Sequence, residues 1–206
     1  MKFGVVIFPG SNCDQDCIHV LRNVLGCPVK ELWHKERDLQ GCECIVLPGG
    51  FSYGDYLRTG AIARFSPIME SVASHAAAGR PVIGICNGFQ ALVKAGYLPG
   101  PAPRQRVTLT FNRRGHFECR WVRLRATEGR CLFTQGLDED ILCPVAHGEG
   151  RLAVPDAAAR QALWAEGLIA IRYVAPEREA DAANLAATVP VRPEAGYPAN
   201  PNGAVD

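Results

Sequence analysis

Residues 81–91 read PVIGICNGFQA, and their order decides the fold. Val82, Ile83 and Ile85 form a short apolar run with the β-branched character of a buried strand. That run stops at Cys86, which is flanked by Gly84 and Gly88. NGFQALVKAG (87–96) then carries apolar residues at helical spacing and ends at a glycine. Strand, Gly-x-Cys-x-Gly, helix is the pattern of a nucleophile elbow, a tight turn that pushes one side chain out beyond the end of a sheet. A strand that only fills a core has no need of small residues on both sides of a cysteine.

The flanking sequence repeats the alternation. FGVVIF (3–8) is an expected strand, and DQDCIHVLRNVLG (14–26) an expected helix with Ile18, Leu21, Val24 and Leu25 on one face. PVKELWH (28–34) and CIVLPGG (44–50) are further strands, and SPIMESVASHAAAG (66–79) is a helix closed by Gly79. Such alternation predicts an α/β fold with a doubly wound, mostly parallel sheet, covered on both faces. From 107 the pattern changes. VTLTFN (107–112) and FECRWVRL (117–124), joined through Arg113-Arg114-Gly115, read as an antiparallel extension of the sheet. ILCPVAHGEG (141–150) and IAIRYV (169–174) are further strands, with a helix over PDAAARQALWAEG (155–167) between them. No boundary splits off a second domain, so residues 1–206 are expected to form one domain. After Ala175 the chain is rich in Ala and Pro, and its Pro201-Asn202-Gly203 turn is followed only by Ala-Val-Asp. A turn normally delivers the chain into another element, so the sequence is expected to stop short of one.

Bulk properties exclude several classes. With 22 basic and 21 acidic residues the formal charge is +1, which gives no electrostatic basis for binding nucleic acid or an anionic membrane surface. No apolar run approaches the ~18 residues of a membrane span, and the apolar start is cut off by Pro9-Gly10, too early for a signal sequence. The nine cysteines are odd in number and show no disulfide framework, which favours reduced thiols and a cytoplasmic location. No Cys-x-x-Cys or histidine pair has ligand spacing, so no metal site is expected.

Cys86 is the candidate nucleophile. At the start of a helix, unpaired N–H groups and the helix dipole favour thiolate over thiol, and a lowered thiol pKa is expected. Leu47-Pro48-Gly49-Gly50-Phe51 ends the preceding strand and should reach the same sheet edge, where ligands bind in open α/β sheets. The backbone N–H groups of Gly50 and Asn87 could then converge on an oxyanion formed when Cys86 attacks a carbonyl. The plainer reading of Gly49-Gly50 is an ordinary turn. For the other eight cysteines the default is a buried structural role.

Taken together, FPGSNCD (8–14), LPGGFSYGDYLRTGAIA (47–63), GICNGFQAL (84–92), HGEGR (147–151) and YPANPNG (197–203) resemble the class I glutamine amidotransferases, which share a flavodoxin-like fold. Within them, these stretches are most similar to the glutaminase subunits of phosphoribosylformylglycinamidine synthases, which serve purine biosynthesis. The resemblance implies that Cys86 forms a γ-glutamyl thioester with glutamine and releases ammonia. Gly50 and Asn87 would form the oxyanion hole, and Gly49 and Gln90 would help bind the substrate. It also implies a large synthetase subunit that uses ATP and Mg, together with a small third subunit. No phosphate-binding glycine motif occurs in this chain, so no cofactor is expected on it.

One departure from that family pattern matters. The family's triad histidine and glutamate lie in a Pro-His-Pro-Glu segment that residues 1–206 do not contain, so this chain is expected to be inactive or impaired by itself. His147 and Glu149 have His-x-Glu spacing and follow Cys86, but HGEGR matches a separate motif, and a turn residue at a strand end is the plainer reading of His147. His19 and His75 sit in helical patterns, and His34 and His116 read as exposed. Two other readings remain open: a stress-response or deglycation protein of the same elbow-cysteine fold, and a non-catalytic binding subunit of the synthetase.

Overall fold

The computed structural model describes residues 1–100, 104–175 and 199–204. They fall into two compact units, Met1–Gln105 and Arg106–Asp206. The Ala- and Pro-rich stretch that follows Ala175 lies outside the described residues over 176–198.

In the first unit, β1 (Phe3–Ile7) leads into α1 (Asp14–His19), which continues as a wider π-type turn over Val20–Val24. Then come β2 (Val29–Trp33), β3 (Cys44–Leu47), α2 (Ile68–Ala77), β4 (Val82–Gly84) and α3 (Asn87–Ala95). The four strands pair in parallel in the order β2-β1-β3-β4. Every residue of β3 is buried, as expected of a parallel strand covered on both faces. Alternate side chains serve opposite faces. Val5 and Val46 pack with Ile18 and Leu21 of the first helical segment. Val6, Ile45 and Leu47 pack with Ile68, Met69 and Val72 of α2 and Leu92 of α3. The doubly wound parallel sheet is therefore present.

The second unit contains β5 (Thr108–Thr110), β6 (Glu118–Ala126), β7 (Ile141–His147), β8 (Arg151–Ala153), α4 (Ala157–Ala165) and β9 (Ile171–Val174). All of its pairing is antiparallel, in a sheet β7-β6-β9 and a ribbon β5-β8, separate from the parallel sheet. Asp156 caps α4 through its Oδ1, which accepts from the Ala159 N–H at 2.7 Å, and Asp140 forms a two-pronged ion pair with Arg125.

The sequence joined 107–112 and 117–124 into one hairpin, and here the structure differs: β5 pairs with β8, and β6 with β7 and β9. Asn112 is the physical reason. Its backbone N–H donates to Gly148 O at 2.9 Å. Its buried amide nitrogen donates to His116 O at 3.0 Å and His147 O at 2.8 Å. The end of β5 is thereby tied to the end of β7 instead of turning directly onto β6. The Pro-Asn-Gly turn joins the same node, since Asn202 Nδ2 donates to Gly150 O at 2.7 Å and to the Tyr173 hydroxyl at 2.9 Å.

Replacing Asn112 by Ala removes the donor to the part-buried carbonyls of His116 and His147, at a cost of up to about 1–3 kcal/mol each. Asn112→Asp keeps an acceptor but cannot donate to two carbonyls, so it is expected to be no better. Both variants should shift the denaturation midpoint, and a midpoint unchanged in Asn112→Ala would contradict the tie.

Candidate active site

In a parallel sheet all strands end at the same edge, so the loops after β1, β3 and β4 come together there. Backbone bonds interlock them. Phe51 N donates to Gly10 O at 3.2 Å, Tyr53 N to Pro9 O at 2.6 Å and Ile85 N to Leu47 O at 2.9 Å. The Ser11 hydroxyl reaches Gly49 O at 3.3 Å. The FPGSNCD, LPGGFSYGDY and GICNGFQ stretches thus form one cluster.

The elbow is built as the glycines predicted. Cys86 has φ +50° and ψ −107°, a strained conformation for a residue with a side chain, costing on the order of 1–3 kcal/mol. A Cβ on Gly84 would lie 2.7 Å from the carbonyl carbon of Gly88, and a Cβ on Gly88 would be driven into the Leu47 carbonyl. Helix α3 therefore starts in contact with the backbone of β3, and Cys86 is the residue turned outward. It exposes more than a third of its surface.

The backbone N–H groups of Gly50 and Asn87 both reach the Cys86 sulfur, and each favours the thiolate. The structure therefore brings together the two amides that the sequence paired with this cysteine. The expected lowering of the thiol pKa does not follow, however. Desolvation is the largest influence, and Cys13 and the Asp55 carboxylate act in the same direction, so the Cys86 pKa is raised above its ordinary value. One N–H from the loop after β3 and one at the start of a short helix do not outweigh those effects.

Gly49 lies directly alongside. A Cβ there would sit 3.4 Å from Cys86 Cβ and 3.5 Å from Cys13 Sγ. Cys13, read from sequence as structural, is thus a second thiol beside the elbow. Gln90 is buried, and its Oε1 accepts from Asn87 Nδ2 at 3.1 Å. Asn87 is only 2% exposed. Its Oδ1 accepts from the Ser52 N–H at 3.1 Å, and its Nδ2 also donates to Asp55 Oδ1 at 2.9 Å. Ser52 and Asp55 lie inside the quoted GGFSYGDYLR stretch, but nothing in periodicity or spacing marks them as partners of residue 87.

The histidines divide differently from their sequence reading. His34 is buried instead of exposed, because Tyr53 packs edge-on against its ring and brings its hydroxyl to Nδ1 at 2.7 Å. Among the described residues of the first unit, no histidine is among the groups acting on the Cys86 thiol. His147 ends β7, as the plainer reading has it. Asn112 donates through its nitrogen to two carbonyls, so its oxygen faces His147 Nδ1 at 3.1 Å and fixes the proton on that atom. Burial lowers the His147 pKa, although the Glu118 carboxylate opposes this.

Two outcomes follow from this geometry. Because the thiol pKa is raised, the thiolate fraction at neutral pH falls. Iodoacetamide labelling of Cys86, resolved peptide by peptide, should be slower at pH 7.5 than that of a free cysteine peptide and still be rising above pH 9; a plateau below pH 8 would contradict it. Gly88→Ala should destabilise the first unit by about 1–3 kcal/mol or more, read as a lowered urea midpoint.

Comparison with known proteins matches residues 1–206 to the CobB/CobQ-like glutamine amidotransferase domain. The phosphoribosylformylglycinamidine synthase subunit PurQ of Trichormus variabilis is 46% identical over 188 residues, covering 90% of this chain and 80% of the relative. The PurQ subunit of Moorella thermoacetica is 45% identical over 207 residues, covering 100% of this chain and 78% of that one. The structure of PurLQS from Thermotoga maritima superposes with a TM-score of 0.67 at 39% identity, over 76% of this chain and 70% of that one. Cys86 and its amides thus sit in a chain that belongs to the CobB/CobQ-like glutamine amidotransferase family, alongside the PurQ subunits of phosphoribosylformylglycinamidine synthase.

Proposed function

We propose that the chain is the glutaminase subunit of a phosphoribosylformylglycinamidine synthase, working in purine biosynthesis with Cys86 as its nucleophile. The observation that carries this reading is the elbow cysteine with the N–H groups of Gly50 and Asn87 both directed at its sulfur. Cys86 Sγ attacks the side-chain amide carbon of glutamine. A C–S bond forms, and the carbonyl oxygen takes up negative charge within reach of the Gly50 and Asn87 amides. The C–N bond then breaks, the nitrogen leaves as ammonia after gaining a proton, and water hydrolyses the thioester to glutamate and free thiol. A single oxyanion-hole donor contributes about 10²–10³-fold to such a step. Gly49 and Gln90 flank the place where the substrate side chain would lie.

Ammonia passes to a large synthetase subunit that uses ATP and Mg, in a cytoplasmic assembly with a small third subunit. The PurLQS likeness and the PurQ relatives support this partnership. The raised thiol pKa means that the resting site holds a neutral thiol, whose proton a base must accept as the substrate binds. General acid–base help of this kind is worth about 10²–10⁴-fold. Among the described residues of the first unit, no histidine acts on that proton.

The test is the reconstituted complex with the synthetase subunits. Cys86→Ala should abolish glutamine-dependent product formation and leave ammonia-dependent formation intact. Retained glutamine use in Cys86→Ala would overturn the reading. Copurification with the synthetase but no labelling of wild-type Cys86 by a glutamine-analogue electrophile would instead favour a binding subunit.

A further inference from the structure

The two amides directed at Cys86 come from different segments: Gly50 from the loop after β3, and Asn87 from the first residue of α3. Hydrogen-bond donors aimed at a developing charge are effective only when they are held in place before the charge forms. The 50–57 loop is an unusual support for one of them. Tyr53, Asp55 and Leu57 all have left-handed φ values, of 55°, 53° and 70°, and Leu57 is 84% exposed. Left to itself, such a loop would relax toward ordinary backbone angles.

Backbone bonds and the Tyr53 hydroxyl hold parts of the loop, and one further side chain ties it to α3. The Asn87 carboxamide is buried and spans the gap, accepting from the Ser52 N–H at 3.1 Å and donating to Asp55 Oδ1 at 2.9 Å. It thereby holds the loop at two points, two and five residues beyond Gly50. The same nitrogen also donates to Gln90 Oε1 at 3.1 Å.

We infer that Asp55 is a positioning residue for glutamine hydrolysis: through the Asn87 carboxamide its carboxylate fixes the Gly50 and Asn87 amides relative to each other. This inference rests on the glutaminase reading above. In this role Asp55 acts through its acceptor atom, while its charge bears on the Cys86 thiol, and two variants separate the two. Asp55→Asn keeps an oxygen for Asn87 Nδ2 and tolerates left-handed φ. Asp55→Gly also accepts that φ without strain but has no acceptor.

Both variants are to be compared with wild type in the reconstituted complex with the synthetase subunits. The probe is a glutamine-analogue aldehyde. Cys86 Sγ adds to its carbonyl carbon, a C–S bond forms, and the carbonyl oxygen becomes the oxyanion as the thiol proton is released. Asp55→Gly should lower kcat and aldehyde affinity together by roughly 10- to 100-fold, with KM for glutamine within threefold of wild type. Asp55→Asn should restore both to within threefold. Unchanged kcat and aldehyde affinity in Asp55→Gly would overturn the inference. So would an Asp55→Asn variant as damaged as Asp55→Gly, because charge would then be the operative property. A rise in KM together with falls in kcat and thermal midpoint in Asp55→Gly would reduce the role to a structural one and overturn it too. A wild-type complex that neither hydrolyses glutamine nor binds the aldehyde would instead remove the glutaminase reading, and this inference with it.

Discussion

Between the carbonyl of Leu47 and the Cα of Gly88 there is no room for a methyl group. That contact sets where α3 begins relative to β3. Through the Ile85 N–H to Leu47 O bond it also fixes how far β4 runs before it turns. Cys86 receives its strained backbone from the same geometry, since a strand that must become a helix within two residues, against a neighbouring backbone, has few conformations available. Gly84 relieves the inner side of that turn and Gly88 the outer. The outward thiol, the Asn87 amide beside it and the Gly50 amide opposite all depend on this packing.

The electrostatics of the site are those of a resting, protonated centre. Burial, Cys13 and Asp55 keep the proton on Cys86, while two amides stand ready for an anion. A free thiolate would compete for the same N–H groups that an oxyanion needs. A neutral thiol leaves them available until a carbonyl arrives, at the cost of requiring a base at that moment. Preorganised donors and a protonated nucleophile are therefore compatible parts of one arrangement.

Element positions were largely legible because they rest on local signals. The unbroken apolar run CIVL, the helical spacing of Ile18 and Leu21, and the glycine bracket around Cys86 each specify a structure from a few adjacent residues. What escaped the reading depends on side chains far apart in the chain. His34 is buried by Tyr53, nineteen residues on. The β5–β8 pairing is enforced by Asn112, which binds the backbone at 147 and 148. Asp55 meets Asn87 thirty-two residues away. The sign of the Cys86 pKa shift was illegible for the same reason: the helix N-terminus is local, whereas burial and the influence of Cys13 and Asp55 arise only when distant segments meet.

The Asn202-Gly203 pair carries a consequence for the chemical ageing of the protein. In a mobile chain, Asn-Gly is the dipeptide most prone to deamidation, because the glycine nitrogen can swing round and attack the asparagine side-chain carbonyl. Here that nitrogen donates to Asn200 O at 3.3 Å, and the buried carboxamide is held on both sides, by Gly150 O and the Tyr173 hydroxyl on its nitrogen and by the Ala204 N–H on its oxygen. The turn that ties the chain back onto Gly150 also holds both reacting groups away from the attack geometry, so this bond ages at the rate of local unfolding and not at that of the free dipeptide.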